Sequence, residues 1–139
     1  MFLLLCAISF YLSVKDIRTR LITNKSLTIS FLILLAASFL EGSQWNWKSF
    51  IFCLVITPFG AFLNIGAGDL KLLALLAFFF IPFEAISLLD FLTAISAISA
   101  AVILVQAIRT KSLRTSIAFG PVICASVIWC ARSYLFLPQ

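Results

Sequence analysis

A chain of 139 residues that is 63% hydrophobic and 11% charged, with mean hydropathy +1.19, is not a soluble globule, which runs near half apolar and a quarter charged. Lipid has to serve as its solvent, so its backbone must pair internally in helices or a closed barrel, and apolar runs that are continuous rather than alternating select helices. The net charge of +5 calls for no nucleic-acid partner, and the absence of histidine excludes Ser-His-Asp and Cys-His catalysis, the HExxH zinc motif and histidine proton relays.

The expectation is an all-α membrane protein, a single domain over residues 1–139 folded as a bundle of about six transmembrane helices. Met1–Val14 is apolar, with no basic segment before it and no A-x-A-like cleavage site after it, so it reads as a retained first helix rather than a signal peptide. Fourteen residues reach about 21 Å, short of a hydrocarbon core of about 30 Å. The helix is therefore expected to continue through Lys15 and Asp16, holding Asp16 at the membrane boundary. Taken alone, Asp16 reads as an i,i+4 partner for Arg20. The second span is Ser26–Leu40, with Asn24 or Ser26 as its N-cap. Trp45 and Trp47 in the following loop belong at an interface. The third span, Ser49–Ile65, contains Pro58 and Gly60, which would kink it.

Gly66-Ala67-Gly68-Asp69-Leu70-Lys71 then interrupts the apolar sequence with one of only five acidic residues. A carboxylate beside hydrocarbon costs about 3 kcal/mol at the centre of a bilayer helix, so Asp69 must be offset or used. Its plain reading is N-cap of the fourth span, Leu70–Leu89, with its charge on the positive end of the dipole. The two glycines are expected to allow a tight turn and close approach of another chain. Glu84 falls about 22 Å further along that span, near the opposite interface. Asp90 is expected to cap the fifth span, Phe91–Ile108. The sixth runs from Ser116 to about Leu135. Cys6, Cys53, Cys124 and Cys130 all lie in apolar runs without a CxxC pair, so they read as buried thiols and no metal site is expected.

Charge sets the topology. The segments 15–25, 66–71 and 109–114 hold Lys15, Arg18, Arg20, Lys25, Lys71, Arg109, Lys111 and Arg114, whereas the other side holds only Lys48 and Arg132. The positive-inside rule places those three segments in the cytoplasm and both termini in the periplasm. Asp16 and Asp69 then share the cytoplasmic side, while Glu41, Glu84 and Asp90 fall on the other. Two close carboxylates do not both ionise cheaply, so such a pair shares a proton. Its ionised member can activate water as general base and its protonated member can polarise a peptide carbonyl. That chemistry needs no cofactor, metal or covalent intermediate.

The motif Gly66-x-Gly68-Asp69-x-Lys71, with Leu72-Leu73-Ala74 behind it, resembles the second active-site motif of type IV prepilin peptidases, the GxGD membrane aspartic proteases. Asp16-Ile17-Arg18-Thr19-Arg20-x-Ile22-x-Asn24 resembles their first, an aspartate followed by basic residues and a proline-asparagine pair. Phe119-Gly120-Pro121 is similar to the family's late glycine-proline segment. The resemblance implies a catalytic pair of Asp16 and Asp69, with Gly66, Gly68, Lys71 and Asn24 shaping the site or binding substrate. The substrate would be a prepilin or pseudopilin cut at the cytoplasmic face of a bacterial inner membrane. Lys71 would bias the ionisation of the pair or simply mark the cytoplasmic face. Thr23 stands where the family usually has proline, which implies a looser turn. The cysteine-rich segment linked to N-methylation in the larger bifunctional members is missing, so the chain resembles the short Flp/tad-type form and is expected to cleave without methylating.

Two readings of other classes remain. A catalytically idle pilus-assembly scaffold would keep the fold and tolerate loss of either aspartate. A small ion transporter would use Asp16 and Asp69 on an ion path, but would spread its acids through the membrane depth, whereas these two cluster at one face.

Overall fold

A computed structural model describes residues 1–19, 22–43, 45–62, 66–110 and 119–136, with side chains omitted at 59–62, 109–110 and 133–136. Six helices account for nearly all of them: α1 Phe2–Thr19, α2 Asn24–Glu41, α3 Trp47–Phe62, α4 Ala67–Phe80, α5 Ala85–Thr110 and α6 Gly120–Phe136. Arg20, Lys111 and Arg114, and the expected span residues 63–65 and 116–118, lie outside the described residues.

Local chemistry sets the helix ends. Gly42 stops α2 in the left-handed region, at φ 63°, and its N–H returns to the Ser38 carbonyl, a conformation that glycine adopts without steric cost. Pro82 stops α4. Ile81 before it is extended, at φ −111° and ψ 103°, as a residue preceding proline must be. The expected fourth span to Leu89 is thus cut at Phe80. Glu84 stands in the turn that follows, its carbonyl accepting the Leu88 N–H at 3.0 Å, so Glu84 rather than Asp90 opens α5. Asp90 lies exposed inside α5.

The expected N-cap of α2 also moves. Thr23 occupies the position, at φ −73° and ψ 144°, without a side-chain capping bond. Its φ is in the range of proline, and its hydroxyl is tied to Lys15 Nζ at 3.1 Å and to Ser26 Oγ at 2.9 Å. The turn is therefore held by hydroxyls and an ammonium where a proline ring would hold it. Lys15 Nζ also donates to Ser26 Oγ, which is buried.

The shortest helix is the central one. α4 buries Leu70, Leu72 and the whole run Ala74–Phe79, and packs against α2, α3 and α6, while α6 in turn packs against α1 and α5. Leu5 and Leu12 of α1, Leu34 of α2 and Ile123 and Val127 of α6 complete the fully enclosed part of the core. Large apolar side chains cover much of the outer surface, among them Leu40, Val55, Ile86, Leu104 and Ile108. α2 and α5 are long and apolar enough to cross a membrane, with mean hydropathies of 1.3 and 2.3 in their most apolar stretches.

An aromatic cluster closes the end of the bundle away from Asp69. Phe78 of α4 meets Trp47 edge-on at 4.9 Å and Phe50 at 5.4 Å, and the Asn46 N–H bonds the Phe78 carbonyl at 2.9 Å. Trp45, expected at an interface, is instead half-buried and donates from Nε1 to Ser38 Oγ at 2.7 Å. It anchors the α2–α3 connection to α4, and Trp47 beside it stays exposed. The Met1 amino group pairs with Glu41 at 2.6 Å at this same end.

Candidate active site

Asp16 lies in the last turn of α1, where an apolar helix face carries it inward, and it is only 4% exposed. A carboxylate at that depth needs a donor. It has one in the first residue of α6: the Gly120 N–H donates to Asp16 Oδ2 at 3.0 Å. The contact leaves no room for a side chain, since a Cβ at residue 120 would sit 2.6 Å from that oxygen. Asp16 is therefore not a solvated partner on the polar face of α1.

Asp69 is carried by the first turn of α4. The N-cap is Gly66, so Asp69 stands three residues inside rather than at the cap. Its N–H donates to the Gly66 carbonyl at 3.0 Å, and its half-buried side chain folds back over Gly66, where a Cβ would come within 3.2 Å of Oδ2. Gly66 has φ −58° and ψ 133°, a conformation open to any residue, so the motif glycine is required for space and not for a special turn. Gly68 makes the second close approach. A Cβ there would meet the Ile22 carbonyl oxygen at 3.2 Å and Ile22 Cβ at 3.3 Å.

Ile22 joins the two halves. Its backbone faces Gly68 of α4, and its Cδ1 would lie 3.1 Å from a Cβ at Gly120 of α6. The α1–α2 connection is thus wedged between the N-termini of α4 and α6, and the charge of Asp16 acts on Asp69 across it. Lys71 points elsewhere. It is exposed, and its Nζ donates to Asn24 Oδ1 at 3.0 Å, tying α4 to the start of α2. Among the described residues, neither is bonded to an aspartate. Cys124 of α6 lies one turn beyond Gly120 and is fully buried.

Gly120 and Ile22 are the site-building residues that spacing alone did not single out. The glycine-proline pair at 120–121 was the available signal for the first. Ile22 stood in the first aspartate motif but was given no role of its own.

An all-helical bundle with two aspartates from separate helices toward one end, each beside a close glycine contact, defines a class: a helical protein with a candidate two-carboxylate site. The particular family follows from the sequence. The chain belongs to the type IV leader peptidase family, whose model matches residues 3–106, about three-quarters of it. The family's members are membrane proteases acting on prepilin-type substrates. No curated protein and no solved structure matches the chain significantly. The matched region contains both aspartates and ends before α6, the helix that supplies the donor to Asp16.

Proposed function

We propose that the protein is an aspartic endopeptidase that removes the basic leader from type IV prepilins or pseudopilins at the cytoplasmic face of a bacterial inner membrane. Asp16 and Asp69 activate water without metal or cofactor. The observation that carries this reading is the convergence of the α1 C-terminus and the α4 N-terminus around Ile22, with Asp16 held in the first turn of α6. Paired carboxylates hold one proton between them. The unprotonated member takes a proton from water as the oxygen attacks the scissile carbonyl. The protonated member donates to the carbonyl oxygen and later helps return a proton to the leaving amine.

Charge distribution supports the orientation. Among the described residues, Lys15, Arg18, Lys25 and Lys71 surround the aspartate end, while Lys48 and Arg132 lie toward the other, which favours a cytoplasmic site. α4, with 14 residues, spans about 21 Å. That is less than a hydrocarbon core of about 30 Å, so a central α4 sets Asp69 at the depth where an extended segment emerging from a membrane helix would reach it. The outer apolar side chains of α2, α3 and α5 face lipid in this arrangement. Cleavage without N-methylation is part of the proposal.

The test is co-expression of a candidate prepilin with the wild type, Asp16→Asn or Asp69→Asn. Processing is expected with the first and none with either variant, read as the mobility of the pilin on a gel. Full processing by either asparagine variant would refute the assignment.

A further inference from the structure

We propose that Gly120 is a positioning residue for this reaction: its N–H fixes Asp16 as the proton-accepting carboxylate of the pair, leaving Asp69 as the proton-bearing partner. The inference rests on the reading of Asp16 and Asp69 as the catalytic pair, and it breaks the symmetry that this reading leaves between them.

Three observations carry it. First, the two aspartates are held differently. Asp16 is almost wholly buried and accepts a backbone N–H at 3.0 Å from the opening residue of a 17-residue helix. Orphan N–H groups and the helix dipole at such an end both favour a negative charge. Asp69 is more open, and no N–H or hydroxyl of the described residues donates to its carboxylate. Second, a hydrogen bond donated to a carboxylate stabilises its charged form. Once Asp16 carries the charge, the shared proton belongs on Asp69, on which that charge acts. Third, the donor is placed by a contact that a larger residue would displace, because a Cβ at residue 120 would meet Asp16 Oδ2 at 2.6 Å, Asp16 Cγ at 3.1 Å and Ile22 Cδ1 at 3.1 Å, so one of these side chains would have to shift. Pro121 follows directly. It carries no N–H of its own.

The consequence for the reaction is a fixed direction. Asp16 receives the proton of the attacking water, and Asp69 gives its proton to the carbonyl oxygen of the scissile bond. The C–O bond forms while the carbonyl π bond opens. The proton taken by Asp16 then passes to the departing amine as the C–N bond breaks, and Asp69 recovers its own from the collapsing hydroxyl. The titratable groups facing Asp16 are Asp69 from α4 and the Cys124 thiol from α6, with Lys15 next to it on α1 and turned to Thr23 and Ser26.

The test uses the full-length protein in lipid nanodiscs with a prepilin leader peptide. Gly120→Ala is expected to lower kcat about 100-fold, the scale of a misplacement of about 1 Å, with KM changed less than about 2-fold. Ala125→Leu, on the exposed face of the same helix, should alter neither. An independent readout needs no variant at position 120. With only five glycines in the chain, selective 15N-glycine labelling gives five amide signals. The Gly120 signal should titrate with the same midpoint as the acid limb of the rate profile, in the wild type and not in Asp16→Asn. A Gly120 amide indifferent to pH, or one that titrates unchanged in Asp16→Asn, would overturn the inference, as would unaltered kcat in Gly120→Ala. Those results would leave the proposed function standing if both asparagine variants remain inactive, and only active asparagine variants would remove both.

Discussion

The two ends of α4 are built on opposite principles. Around its N-terminus, contacts depend on what is missing: no Cβ at Gly66 or Gly68 at the start of α4 or at Gly120 of α6, so that Asp69, Ile22 and Asp16 approach closely and the Gly120 N–H reaches Asp16. At its C-terminus, contacts depend on bulk, with Phe78 enclosed by Phe31, Trp45, Trp47, Phe50 and Phe79. Apolar burial and ring contacts supply stability without direction. Close backbone approach supplies position and little burial. The bundle is therefore clamped at one end and presents its polar groups at the other. Substitutions at the two ends should fail in different ways.

The sharpest break in that comparison comes from the carboxylates. Asp16→Asn or Asp69→Asn is expected to cost about 10²- to 10⁴-fold in cleavage rate, the range of general acid–base catalysis, with thermal unfolding unchanged. The buried thiols Cys124 and Cys130 make this measurable with a thiol-reactive dye that reports unfolding. Phe78→Ala should do the reverse, lowering stability by about 3–5 kcal/mol, seen as an earlier thermal transition, while cleavage per folded molecule stays near wild type. Gly68→Val should cut activity about 10- to 100-fold through displacement of Ile22, again with a modest change in melting temperature. Trp45→Phe keeps the ring and loses the bond to Ser38, for about 1 kcal/mol and no change in rate. The smallest effect is expected from Thr23→Pro. The backbone already has a proline-compatible φ, so the ring should offset the lost hydroxyl contacts, and activity should stay within about 2-fold. A large loss there would mean that the Lys15–Thr23–Ser26 network, not the torsion, holds the turn.

Legibility in the sequence differs between the same two ends. The expectation that Asp16 and Asp69 share one end came from counting spans and cations, because charge near hydrocarbon is costly and sparse. Helix ends were readable where a residue forbids continuation, as at Gly42 and at Pro82, although the weight given to the apolar run past Pro82 carried the expected fourth span too far. Asp90 was misplaced with it, since a carboxylate after a long apolar run imitates an N-cap. Of the two properties expected of the motif glycines, Gly66 does not use the tight turn, having ordinary torsions, while the close approach is seen at Gly68, against Ile22. For Lys71 the sequence left open whether it biases the pair or marks the cytoplasmic face, and its ammonium bonds Asn24.

The amino-acid sequence by itself determined that this chain is helical, apolar on nearly every face, and equipped with two aspartates expected at one end. These follow from composition and local chemistry, which act on each segment separately. Tertiary structure alone decided that the 14-residue α4 is the central helix, that Ile22 is wedged between two helix ends, and that the N–H of Gly120 meets Asp16 across 104 residues of chain. In helices that are hydrophobic all round, no periodicity marks the inner face. Which helix is enclosed, and which carboxylate receives a donor, is settled only when the helices pack.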